Sequence, residues 1–245
     1  MESGPAEIIS PWARWALKVL IVKSANDVAV MIAEAVAGSQ AVFIARMNEA
    51  AQHLGMTRTH FANVNGLPDE RQVTTARDLA KLARAIIVEF PEHADLFSSI
   101  QVQVGKKTMR THNSLLVSFS GADGMKTGFI CESGFNVVAS ATRDGRKLVA
   151  VVLGEPSVAS RNDRATDLLE NGFRRYFWKS LFGTRLDGLA IQASSSDSPA
   201  HLRDSVCGVA RAKSKVRRSV TSKLHGLDAR GSDAPASAVS AGEAN

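Results

Sequence analysis

The chain has 245 residues, 44% of them hydrophobic and 22% charged, the composition of an ordinary globular protein with room for one sizeable core. Its longest apolar candidate, Trp12 to Val22, is broken by Arg14 and Lys18 and falls short of the roughly 20 apolar residues of a membrane helix, so no transmembrane segment is expected. The formal charge of +6 resides between Arg203 and Arg230, where eight basic residues face only Asp204 and Asp228; the rest is neutral, which argues against specific nucleic-acid recognition and leaves a loosely polyanion-attracting tail.

Ser10-Pro11 predicts a helix start, with Ser as cap and Pro at the first helical position, followed by Trp12, Trp15, Ala16, Val19 and Leu20 at helical spacing. Val28, Met31, Ile32, Ala35 and Val36 continue the pattern in a second helix that Gly38 stops. Ser39 opens a third, with Phe43, Met47, Ala50 and Leu54 running to Gly55. After a polar loop from Met56 to Asp69, Thr75 caps an amphipathic helix carrying Leu79, Leu82, Ala83, Ile86, Ile87 and Phe90, which Pro91 ends. The period then becomes two. Ile100, Val102 and Val104 alternate with Gln101 and Gln103, and Gly105-Lys106 turns the chain into Thr108 to Thr111 as a hairpin. Phe135 to Thr142 and Lys147 to Gly154 form a second hairpin around Asp144-Gly145, a dipeptide suited to a two-residue turn. Arg161 to Phe182 has helical spacing and would cover one face of these strands. From Ala193 the composition shifts to Ser, Ala, Gly and basic residues without periodicity, so a domain over 1–192 and a disordered basic tail over 193–245 are expected.

Two cysteines, Cys131 and Cys207, make neither a disulfide framework nor a metal set, and Cys131 reads as a packed neighbour. No cofactor or metal is expected. The triplet Ala35-Val36-Ala37 lacks an apolar run before it, so no export signal is expected in the chain as written.

Three pieces at element edges carry polar chemistry: Lys23-Ser24-Ala25-Asn26-Asp27, His112-Asn113, and Asp123-Gly124-Met125-Lys126-Thr127-Gly128. A Ser-x-Asn triplet arises by chance about once in such a chain. A second copy, Ser160-Arg161-Asn162, reads as a helix N-cap. Lys-Thr-Gly is rarer. Ser-x-Asn and Lys-Thr-Gly are two of the three motifs of serine β-lactamases and penicillin-binding proteins, and here they occur in that order, one opening a helix and one on a strand. His112-Asn113 reads first as a turn, and Asp27 and Lys23 as solvated neighbours.

Together with Lys23 to Glu34, Leu54 to Asp69, Thr74 to Leu82, His112 to Leu116, Gly124 to Phe129 and Ser133 to Ser140, these motifs make the chain resemble the D-alanyl-D-alanine carboxypeptidases, the low-molecular-weight penicillin-binding proteins, over roughly Ser10 to Phe182. The resemblance implies an α/β fold of the serine β-lactamase/DD-peptidase type: an antiparallel sheet flanked by helices beside a helical region, incomplete at its N-terminus. It implies acyl transfer on peptidoglycan stem peptides ending in D-Ala-D-Ala, reaction of the intact family member with β-lactams, and a periplasmic or extracytoplasmic location. In this scheme Ser24 relays a proton and Asn26 holds a substrate amide. Lys126 and Thr127 bind the substrate carboxylate, Gly128 lets the substrate backbone approach, and the Phe129 N–H is an oxyanion donor.

The family's nucleophile and base come from Ser-x-x-Lys, and no lysine here has a serine three positions before it. A start site placed too far downstream, or a disrupted gene, is the expected cause. The chain as written is therefore expected to be inactive. Two alternatives follow: a pseudoenzyme that grips D-alanyl carboxylates through Lys126 and Thr127 without cleaving them, and a basic-tailed interaction protein on the same scaffold.

Overall fold

Ser10 accepts a hydrogen bond from the Ala13 N–H at 3.2 Å and Pro11 takes the first helical position, which starts α1 (Pro11–Lys23) where the sequence predicts it. The computed structural model describes residues 9–182, 199 and 201–208. α2 (Asn26–Ala37) ends at Gly38, whose φ of 76° is a left-handed C-cap, and Ser39 then caps α3 (Gln40–His53) through the Val42 N–H at 3.3 Å. In α4 (Ala76–Glu89) the Thr75 hydroxyl accepts from the Asp78 N–H at 3.2 Å. The buried Asp78 carboxylate in turn accepts from the Arg58 N–H at 3.0 Å and the Thr59 hydroxyl at 2.8 Å, tying the helix to the preceding loop.

The helical faces differ in detail from the sequence reading. Ala16, Val19 and Val22 of α1 are buried with Val28 and Val102, whereas Trp12 is half-exposed. Trp15 lies across the first hairpin, where its indole N–H donates to the Gln103 carbonyl at 2.9 Å. Met31 and Val36 of α2 face out, and Val28, Ala29 and Ala33 face in, because the small residues let α2 approach its neighbours closely. A 3₁₀ turn (Pro91–His93) and α5 (Ala94–Phe97) lead to β1 (Gln101–Val104) and β2 (Lys107–Arg110), an antiparallel pair.

The short α6 (Leu115–Ser118) precedes the main sheet of β3 (Ala122–Ile130), β4 (Gly134–Arg143) and β5 (Arg146–Glu155), antiparallel with β4 in the middle. Asp144 and Gly145, at φ 50° and 71°, make the tight β4–β5 turn that the Asp-Gly pair predicts. The carboxylate of Asp123 on β3 accepts from Ser140 at 2.6 Å, Thr142 at 2.5 Å and Lys147 at 2.6 Å, which staples all three strands together at one end. α7 (Val158–Phe182) covers one face, burying Ala165 and Leu169 against Val137, Ala139, Ala141, Ala150 and Val152. α4 lies across the other face over β4 and β5, and between them is an apolar cavity of about 280 Å³ lined by Leu79, Leu82, Ile86, Met125, Val138 and Leu153.

Three expectations are corrected here. Ser160 is not the cap of α7: the helix starts three residues earlier, and the Ser157 hydroxyl accepts from the Ser160 N–H at 3.1 Å. The two cysteines are joined, Cys131 to Cys207, across 76 residues of sequence. One isolated pair at that separation carries no spacing signal, and only the fold brings its halves together. Residues 201–208, inside the stretch read as unstructured, carry a helical turn, α8 (Arg203–Val206), packed through the buried Val206. The rest of the proposed tail lies outside the described residues, as does its boundary at Ala193.

Candidate active site

Ser24 follows the last residue of α1 and takes the C-cap position with φ 53° and ψ 44°, its N–H donating to the Leu20 carbonyl at 2.9 Å. This left-handed conformation, uncommon for serine, ends α1 and lets α2 start two residues later. The kink places the Ser24 hydroxyl against β3. There the Lys126 ammonium donates to Ser24 Oγ and, at 2.7 Å, to the Thr127 carbonyl. Thr127 is buried, Gly128 and Phe129 are open to solvent, and the Phe129 ring stacks on Phe135 with centroids 4.1 Å apart. A methyl group on Gly128 would meet nothing nearer than Asn136 Cβ at 4.0 Å, so the strand surface there is clear for a ligand backbone.

A cavity of about 310 Å³ opens at this junction, lined by Ser24, His112, Thr127, Gly128, Phe129 and Arg161 with Phe135 and Val158. Four of the six residues assigned from the sequence therefore line it, and Lys126 touches two of those four. Asn26 does not join them. It is exposed on the first turn of α2, and its side chain makes no hydrogen bond among the described residues.

Lys23, His112, Asn113 and Arg161 complete the site. The Lys23 ammonium and His112 Nε2 are 3.0 Å apart. Asn113 is buried and its amide donates to the Gly124 carbonyl at 3.2 Å, fixing the His112 loop to β3. Arg161 is 2% exposed; its guanidinium donates to Asn162 Oδ1 at 2.9 Å and to the His112 carbonyl at 3.5 Å. No sequence signal marked Arg161, because Ser160-Arg161-Asn162 reads as an ordinary capping segment.

Burial lowers the Lys126 pKa to about 8, so the amine keeps its charge at neutral pH but holds its proton less firmly than a surface lysine. Burial also lowers the Arg161 pKa. His112 is lowered first by burial and then by the neighbouring cations Lys23, Lys126 and Arg161, which favours the neutral imidazole. Among the described residues no carboxylate lines the cavity. Its walls combine the buried Arg161 cation, two hydroxyls and a strand edge, with the Lys126 ammonium held against one of those hydroxyls, which suits a peptide with a free carboxylate.

The family model described as D-alanyl-D-alanine carboxypeptidase matches residues 14–157, more than half of the chain. The chain belongs to that family. It is 40% identical over 158 residues to D-alanyl-D-alanine carboxypeptidase DacC of Escherichia coli K12, a match covering 64% of this chain and 40% of the relative. Penicillin-binding protein 6B of E. coli superposes with a TM-score of 0.62 at 39% identity, over 65% of this chain and 50% of that one. Ampicillin-bound penicillin-binding protein D2 of Listeria monocytogenes gives 0.61 at 30% identity, over 69% and 74% respectively. The chain spans about 40% of the length of the curated relatives it matches. The fold is that of the penicillin-binding DD-peptidases, and the family is one of serine D-Ala-D-Ala carboxypeptidases.

Proposed function

We propose that the cavity between α1, β3 and α7 is the carboxylate-binding half of a D-Ala-D-Ala carboxypeptidase site, and that the residues present here hold peptidoglycan stem peptides by their terminal D-alanine but do not themselves supply the attacking serine. The observation that carries this is the Lys126–Ser24 contact beside a cavity that Ser24 lines together with the buried Arg161 and Thr127. Lys126 and Arg161 supply charge for the substrate carboxylate, and Thr127 adds a hydroxyl donor. Gly128 admits the peptide backbone, and the Phe129 N–H faces the scissile carbonyl as an oxyanion donor. Asn26 takes a substrate amide from the rim, which requires its exposed side chain to turn inward.

Cleavage requires a serine that attacks the peptide carbonyl, an amine that removes its proton, and release of D-alanine before water hydrolyses the ester. Ser24 is poorly suited as the nucleophile. Its hydroxyl accepts from a lysine that is mostly charged at pH 7 and is therefore a donor rather than a base. The apolar cavity beneath α4 also leaves packing between α4 and the sheet incomplete, which favours marginal stability.

The intact family member acts outside the cytoplasm on wall peptides and reacts with β-lactams; a Cys131–Cys207 bridge suits an oxidising compartment. The domain takes in residues 201–208 as well, through the Cys131–Cys207 bridge and the buried Val206. The test is incubation with fluorescent penicillin and with a D-Ala-D-Ala peptide, read by intact mass and by D-alanine release. Peptide binding without adduct or release is the expected result. A stoichiometric adduct on Ser24 would overturn the assignment of roles.

A further inference from the structure

The β3–β4 connection is only three residues, and its first, Cys131, is two positions beyond Phe129, one wall of the cavity. Phe129 and Phe135 are register partners across β3 and β4, and Ile130 pairs with Gly134, so this turn sets the tilt of the stacked ring pair. The segment 201–208 rests on the outside of that turn. The Leu202 N–H donates to the Glu132 carbonyl at 3.0 Å, and the Arg203 guanidinium pairs with the Glu132 carboxylate. The Leu202 side chain lies over Gly154, where a Cβ would come within 3.2 Å of it, and Val206 is buried.

Apart from the bridge, these are weak holds. The Arg203–Glu132 pair is solvent-exposed on the arginine side, which makes it of little worth. α8 is a single turn, too short to be helical without tertiary support. Both cysteine residues are only partly buried, and exchange needs a thiolate to reach one of their sulfurs.

We propose that Cys131 and Cys207 form a thiol-exchange latch: a dithiol opens it, freeing residues 201–208 from the β3–β4 turn and loosening the Phe129–Phe135 wall of the cavity. The thiolate of the dithiol attacks one sulfur and the S–S bond breaks, leaving one cysteine thiol and a mixed disulfide. The second thiol of the reagent then displaces the other cysteine, and the reagent leaves as its own disulfide, having supplied two electrons and two protons. An oxidised dithiol partner closes the latch by the reverse steps. The inference does not depend on which ligand the cavity takes.

The test uses the full chain, purified with free thiols blocked and compared before and after dithiothreitol. Non-reducing peptide mapping is expected to recover a Cys131–Cys207 linked peptide. On reduction, amide hydrogen exchange is expected to rise at least tenfold in residues 202–208 and in residues 129–134, while the central amides of β4 and β5 stay protected. The double variant Cys131→Ser/Cys207→Ser is expected to match the reduced protein and to ignore dithiothreitol. Three results would overturn the latch: two free thiols in protein from an oxidising compartment, unchanged exchange at 202–208 after reduction, or an equal loss of protection in central β4, which would make the bridge a support of the whole sheet.

Discussion

Lys126 and Ser24 stand 102 positions apart in the chain, yet the ammonium of one donates to the hydroxyl of the other. The contact joins the helical region to the sheet and holds a charge against Ser24, one of the residues that line the cavity. Replacing Lys126 with Met keeps the length of the side chain and removes that charge. Removing a hydrogen bond to a charged group costs about 1.5–3 kcal/mol, so affinity for a D-Ala-D-Ala peptide is expected to fall roughly ten- to hundredfold by calorimetry. Unchanged affinity would mean that the carboxylate binds elsewhere.

The depressed pKa of Lys126 predicts a pH dependence with a definite sign. The folded protein releases this proton near pH 8 and the unfolded chain near 10.5. Between those values the unfolded state binds more protons, so this group's burial penalty is full below pH 8 and is relieved as pH rises. Urea denaturation of the wild type, relative to Lys126→Met, is expected to gain about 1–3 kcal/mol from pH 7.5 to 10. Peptide binding should run the other way and weaken above pH 8, where the cation is lost.

His112 titrates below the ordinary histidine range for a related reason, burial reinforced by Lys23, Lys126 and Arg161. The folded state prefers the neutral ring, so stability from this group is present above the unfolded value of 6.5 and is lost as pH falls towards the folded one. A histidine NMR titration is expected to show its midpoint below those of exposed histidines. In Lys23→Met it should move upward, because a hydrogen-bonded cation has gone. No movement would show that Lys23 has no part in setting it, leaving burial, Lys126 and Arg161.

Gly134 has φ 69°, and a Cβ there would sit 2.8 Å from the Glu155 carbonyl oxygen. Both the dihedral and the backbone clash oppose Gly134→Ala, which is expected to cost about 1–3 kcal/mol in thermal or chemical denaturation. Gly105→Ala makes a useful comparison. Its φ is also positive, but it has open space around it, so its loss should be smaller.

Local residue chemistry made most of the framework legible. Ser10-Pro11, Ser39, Thr75 and Asp144-Gly145 each fix a boundary through their own neighbours, and the structure places those boundaries within a residue or two. The site was legible where two motifs carried it: Ser24, Thr127, Gly128 and Phe129 line one cavity. Groups recruited over long distances were not. Arg161 reaches the His112 carbonyl from 49 residues away, Lys23 meets His112 from 89, and the cysteine bridge spans 76. Trp12 and Trp15 show the converse, since helical spacing marks a face but does not say whether that face is covered.

The left-handed backbone of Ser24 separates two properties that substitution usually confounds. Most side chains at φ 53° would strain the turn between α1 and α2, so a failing variant would leave shape and chemistry entangled. Glycine adopts that dihedral freely. Ser24→Gly therefore removes the hydroxyl while sparing the kink, and Ser24→Asn keeps a hydrogen-bonding group in a residue that tolerates the same region. The position has its own pair of controls, and comparing them shows whether Lys126 needs a partner at Ser24 or only the bend that Ser24 makes.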